Sequence, residues 1–160
     1  MIHARRVFIL AGLILLGPSV ALSQGVKPAA RFGVPADATL FPQSNPKELQ
    51  LSLLKALGEK RIDYLLAHLV DPSYVDERIT RVYEGRFEGQ FEETRSKLEN
   101  PPLKGEFEKI LKEGKMEATA ATAVLRLPAL PEREIHFAFK GGKWYLLNRN
   151  SPERENPRRK

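Results

Sequence analysis

The chain has 160 residues, 42% of them apolar, with a formal net charge of +6 and no cysteine. That is enough apolar sequence for one packed core with appendages, and the missing cysteines exclude a disulfide, a thiolate metal site and a cysteine nucleophile. The charge does not indicate a polyanion partner, which needs a clustered basic face: residues 1–23 hold Arg5 and Arg6 without an acid, residues 149–160 hold five basic against two acidic side chains, and the body between is near neutral.

The first residues read as a secretory signal peptide, 1–23. A basic start (MIHARR) precedes an apolar run at 7–17, and Ala21-Leu22-Ser23 forms a small-x-small cleavage pattern before Gln24. The apolar character, 7–22 at most, is shorter than the roughly 20 residues that span a bilayer, and Gly17-Pro18 breaks a helix there. Export to a periplasmic or extracellular space is the expectation, with membrane contact only through the leader.

Residues 24–44, rich in proline and glycine, read as an extended arm that Phe32, Leu40 and Phe41 could pin to the body. Asn45-Pro46-Lys47-Glu48 opens the first helix as N-cap, N1 and N3 of a capping-box pattern. Leu49, Leu53, Ala56 and Leu57 form its stripe, and Gly58 is expected at C′. A second helix is predicted over 59–70, with Ile62, Leu65, Leu66 and Leu69 on one face and Asp71-Pro72 as its stop.

Residues 73–75 read as a short strand or turn. Ile79, Tyr83, Phe87, Phe91 and Leu98 then keep a near four-residue spacing that favours helix, which Gly85 and Gly89 interrupt. Another short helix is expected over 103–113. The run MEATAATAVLRL, 116–127, reads as one strand because its threonines and valine favour β-structure and Pro128 ends it. Residues 128–132 form a loop.

Residues 134–149, EIHFAFKGGKWYLLNR, read as a β-hairpin about Gly141-Gly142, since a tight I′ turn needs positive φ at both central positions. If Lys140 faces Lys143, then Phe139 meets Trp144, Phe137 meets Leu146 and Ile135 meets Asn148 on one face. The other face pairs Ala138 with Tyr145, His136 with Leu147 and Glu134 with Arg149. The apolar face must be covered by the helices upstream. Residues 150–160 have no apolar side chain and are expected to form a disordered basic tail.

Helices first, an antiparallel meander last and a closing Gly-Lys-Trp-Tyr-Leu-Leu strand after Gly-Gly together resemble the nuclear transport factor 2-like superfamily, over about residues 45–149. The opening LQLSLLKALGEKRIDYLLAHL is similar to that superfamily's first two helices. The resemblance implies an α+β cone whose concave sheet face and helices enclose an apolar pocket. It includes ketosteroid isomerases, polyketide cyclases and dehydratases beside members that only bind or dimerise, so it fixes no activity. The segment around 85–91 departs from the usual element order.

An enzyme of that kind needs a base in an apolar cavity beside a hydrogen-bond donor, and the hairpin's apolar face offers none. The expected function is therefore non-enzymatic: an exported domain that binds a small apolar molecule or pairs with a second copy through its sheet. Pocket candidates are Tyr74, Phe137, Phe139 and Trp144, with His136 and Tyr145 on the opposite face. The alternative is a cone-fold isomerase, cyclase or dehydratase using Asp71, Asp76 or His136, although Asp71 is more simply a turn residue and Asp76 and Glu77 helix-start acids. His68 falls beside Tyr64, about 110° from its helix's apolar stripe at 100° per residue, on a solvent flank. No metal or cofactor motif is present, and no nucleic-acid partner is expected.

Overall fold

The computed structural model describes residues 30–148; the expected leader, the first residues of the arm and the basic tail lie outside the described residues. Within them, a short two-stranded hairpin is followed by the helical segments, and a four-stranded antiparallel sheet, its strands side by side in chain order, comes last. This is the mixed α+β character expected.

The arm is more than an extended segment. Ala30–Arg31 (β1) and Val34–Pro35 (β2) pair antiparallel, and Phe32 and Gly33 turn between them with φ of 53° and 77°, both left-handed as a I′ turn requires. Phe32 stacks on Phe87 with centroids 4.5 Å apart. Val34 and Phe41 join the core, whereas Leu40 remains exposed.

Helix α1, Pro46–Gly58, starts as its sequence dictates. Asn45 Oδ1 accepts from Glu48 N at 2.9 Å, and Glu48 Oε2 accepts from Ser44 N at 2.8 Å. Its end differs from expectation, because Gly58 stays helical and the left-handed residue is Lys60, φ 56°. Arg61 N donates to Ala56 O and Lys60 N to Leu57 O, which is a Schellman closure with lysine at C′.

The second helix begins later than expected and changes pitch. Ile62–Tyr64 (α2) runs into a π-helical turn, Leu65–Leu69, in which Val70 N reaches back to Leu65 O. Two carbonyls at its end lack their usual donors: Asp71 N donates instead to Leu146 O, and Pro72 has no N–H. Arg31 Nη1 supplies Ala67 O at 3.0 Å, and Gln43 Nε2 supplies His68 O at 2.9 Å. His68 is not on a solvent flank, because Val34 O lies 2.8 Å from its Nε2 beneath the arm. Burial, the largest influence there, holds its imidazole below the ordinary pKa.

Asp71-Pro72 stops that helix and starts the next. Asp71 Oδ1 accepts from Ser73 N and caps α3, Pro72–Val82, so Tyr74 is on a helix rather than a strand or turn. Asp76 and Glu77 lie further inside α3 than the helix-start position expected of them. Glu84 (φ 53°) and Gly85 (φ 85°) separate α3 from α4, Phe87–Glu99.

Gly89 does not interrupt α4. It gives Tyr83 room, since a Cβ there would sit 2.6 Å from Tyr83 Cδ1 and 3.0 Å from Cγ. Gly89→Ala should therefore destabilise by about 1–3 kcal/mol through overpacking, although helix propensity alone favours alanine by about 1 kcal/mol. In a Tyr83→Ala background the same change should become stabilising. Urea titrations of the four proteins measure this, and a stabilising Gly89→Ala in the parent would refute it.

Helix α5, Pro101–Glu113, uses both prolines in its first turn, two residues earlier than predicted. The single strand expected over 116–127 is two: Lys115–Ala118 (β3) and Thr122–Arg126 (β4). Thr119 makes the turn, its Oγ1 accepting from Thr122 N and Ala121 N while its own N–H donates to Thr122 O. Strands β5 (Glu134–Lys140) and β6 (Lys143–Leu147) form the expected hairpin, with Phe139 opposite Trp144, Phe137 opposite Leu146 and Lys140 opposite Lys143.

The open edge of β6 is covered by the chain itself. Trp144 N donates to Gln43 O, Gln43 Nε2 donates back to Trp144 O, and Asp71 N donates to Leu146 O, each at 2.9 Å. The two helices expected to cover the hairpin do so: Leu49, Leu53, Leu65 and Leu69 share one core with Ile135, Phe137 and Trp144.

Candidate functional site

A cleft of about 600 Å³ opens between the helices and the core face of the sheet, within the size range of small-molecule sites. Its apolar wall comes from Leu65 and Leu66 of the π turn, Leu98 of α4, Phe107 and Ile110 of α5, and Ile135 and Leu146 of the hairpin. Polar side chains reach it from Tyr74 and Arg78 on α3 and from Gln90, Glu93, Thr94 and Lys97 on α4. Glu106, Arg133, Glu134 and Asn148 complete its polar lining.

The ionised groups of the cleft are matched in sign. Arg78 Nη2 donates to both oxygens of Glu93 at 2.8 Å, joining α3 to α4, and Lys97 bonds the same carboxylate. Arg133 lies 3.3 Å from Glu106, and Glu134 is 2.6 Å from Arg126 and 3.1 Å from His136 Nε2. Lys97 first, then Arg78, hold the Glu93 carboxyl below its usual range. A general base working near neutral pH needs the opposite shift.

Gln90 is different. It is 2% exposed, and its Oε1 is buried without a hydrogen-bond partner among the described residues. An unsatisfied buried carbonyl of this kind costs about 1–3 kcal/mol.

Among the residues singled out from sequence, Tyr74 lines the cleft. Phe137 and Trp144 do not: their rings are buried in the solid core, at 1% and 5% exposure, because the helices pack directly on that part of the sheet. Phe139 lies beyond those helices, 43% exposed with its ring tilted on Trp144. His136 and Tyr145 occupy the other face of the sheet, where burial raises the Tyr145 hydroxyl's pKa.

The three groups considered for catalysis are also elsewhere. Asp71 caps α3 and lies 2.5 Å from Lys140 Nζ; Asp76 lies 2.5 Å from Arg31; His136 is beside Glu134. None of the three lines the cleft.

Sequence reasoning missed Gln90, Arg78 and Glu93. No local signal marked Gln90: at 100° per residue it falls about 60° from Phe87, on the flank of the stripe formed by Phe87, Phe91 and Leu98, where an amide is ordinary. Among the described residues no group of acidic and histidine side chains is arranged to hold a metal ion, and no helix is long and apolar enough to cross a membrane. No protein-family model matches the chain, and neither the search of curated proteins nor that of solved structures returned a significant match.

Proposed function

We propose that this is an exported, non-enzymatic domain that binds a small, mostly apolar molecule in the cleft between α3, α4, α5 and the hairpin. The observation that carries this reading is the cleft itself, about 600 Å³ with an apolar wall drawn from both helices and sheet. Its carboxylates are tied to cations rather than poised for proton transfer. The finer architecture belongs to the same proposal: helices before a meander, with a cleft against the sheet, support a cone of the nuclear transport factor 2-like kind.

Pairing of two copies through the sheet is the weaker reading. The face opposite the core carries Val124, Tyr145 and Leu147, but the chain Glu117, Arg126, Glu134, His136 crosses it, and such charges would be desolvated in a stacked dimer.

N-phenyl-1-naphthylamine, an uncharged dye that brightens in apolar sites, tests the proposal. Saturable one-site binding is expected, weakened about tenfold or more in Thr94→Trp, whose indole would occupy the cleft. Absence of brightening, or equal binding by a folded Thr94→Trp protein, would refute it.

A further inference from the structure

The cleft's chemistry narrows what it can hold. We infer that its ligand is an uncharged amphipathic molecule that donates one hydrogen bond, from a hydroxyl or N–H, to the side-chain carbonyl of Gln90. This rests on the reading of the cleft as a binding site and goes beyond it by naming the ligand class and the anchoring residue.

Two independent observations meet here. The first is charge: Arg78, Lys97 and Arg133 are opposed by Glu93, Glu106 and Glu134, in contacts that already join them to one another or to Arg126 and His136. An anionic or cationic ligand would have to break one of these pairs or be buried without a counter-charge, and either is costly. A neutral ligand disturbs none of them.

The second is Gln90. A carbonyl oxygen that is buried and unpartnered among the described residues is a defect for folding, and native interiors hold few such groups. It sits on a helix whose neighbouring cleft residues, Thr94, Lys97 and Leu98, face the same space. A donor on the ligand would complete it once the carboxamide of Gln90, a residue of the cleft lining, turns its carbonyl to the cleft surface. The apolar remainder of the molecule would lie along Leu65, Leu66, Phe107 and Ile135.

The experiment is a displacement series with the naphthylamine dye on the full chain. The competitors are 1-decanol, its isomer methyl nonyl ether, which accepts but cannot donate, and the charged decanoate and decylammonium. Decanol should compete roughly three- to tenfold better than the ether, the value of one hydrogen bond, and better than either ion. In Gln90→Met, close in volume to the parent, that advantage of alcohol over ether should vanish, with both competitors referred to the dye's own affinity for the variant. Gln90→Leu is the second variant if the first fails to fold.

Equal competition by alcohol and ether would overturn the inference and leave the binding site intact. So would an alcohol preference that persists without Gln90, or a charged competitor that wins. If the dye does not bind and no competitor shifts the protein's melting temperature, the site and the inference fall together.

Discussion

Replacing Phe41 by alanine should destabilise the protein by about 3–5 kcal/mol, the usual cost of emptying a fully buried phenylalanine site. Phe41 belongs to the segment between the short N-terminal hairpin and α1, yet it is 1% exposed. Its ring stacks on Tyr64 with centroids 4.2 Å apart, and Lys55 Nζ lies 6.0 Å from the ring centre. The segment around it is tied down as well: Tyr64 Oη accepts from Asp37 N and donates to Asp37 O, and Ser52 Oγ donates to Pro42 O. The cavity left by alanine would therefore be slow to collapse. Against a total of about 5–15 kcal/mol for an ordinary domain, this is a large share.

Urea denaturation followed by the single tryptophan, Trp144, measures the change, because Trp144 is buried in the same core. A loss below about 1 kcal/mol, far under the cavity value, would mean that the segment before α1 is not part of the cooperative unit. Leu40, one residue away and 42% exposed, is the internal control. Its alanine variant should change stability by no more than about 0.5 kcal/mol.

The features legible in the sequence were those whose causes are local. Asn45, Pro46 and Glu48 specify the start of α1 within four residues, and Gly141-Gly142 fixes the register of β5 on β6 because both glycines take positive φ, 54° and 82°. Thr119 shows where local reading divides. Threonine is both a strand former and a turn former, and only the pairing of β3 with β4 decides between them. Gly89 looks like a helix breaker in sequence because its reason, the Tyr83 ring, lies on the preceding turn of chain and outside the helix.

The candidate site was less legible for a related reason. Alternation shows that Phe137, Phe139 and Trp144 share a face, but not whether that face meets helices, solvent or a cleft. Tyr74 reached the cleft only because Asp71-Pro72 starts a helix as well as ending one. Arg78 and Glu93 are fifteen residues apart and meet through the packing of α3 on α4, a distance at which no local pattern operates.

Two buried glutamines make the last expectation, since the same substitution should act on them with opposite sign. Gln43→Met should cost roughly 2–6 kcal/mol, the sum for two orphaned carbonyls. The side-chain nitrogen of Gln43 donates to His68 O and Trp144 O, both at 2.9 Å, and methionine fills the volume but donates nothing. His68 O cannot turn to residue 72, which is proline, and Trp144 O lies on the strand edge that Gln43 itself covers. Each orphaned carbonyl costs about 1–3 kcal/mol. Gln90→Met should instead stabilise the unliganded protein by about 1–3 kcal/mol, because it removes an acceptor that has no partner among the described residues. Urea midpoints for the two variants, with unchanged m-values to show that the unfolded states are alike, decide the matter. A destabilising Gln90→Met would show that its carboxamide is satisfied within the protein, and would remove the reason for placing a ligand donor beside it.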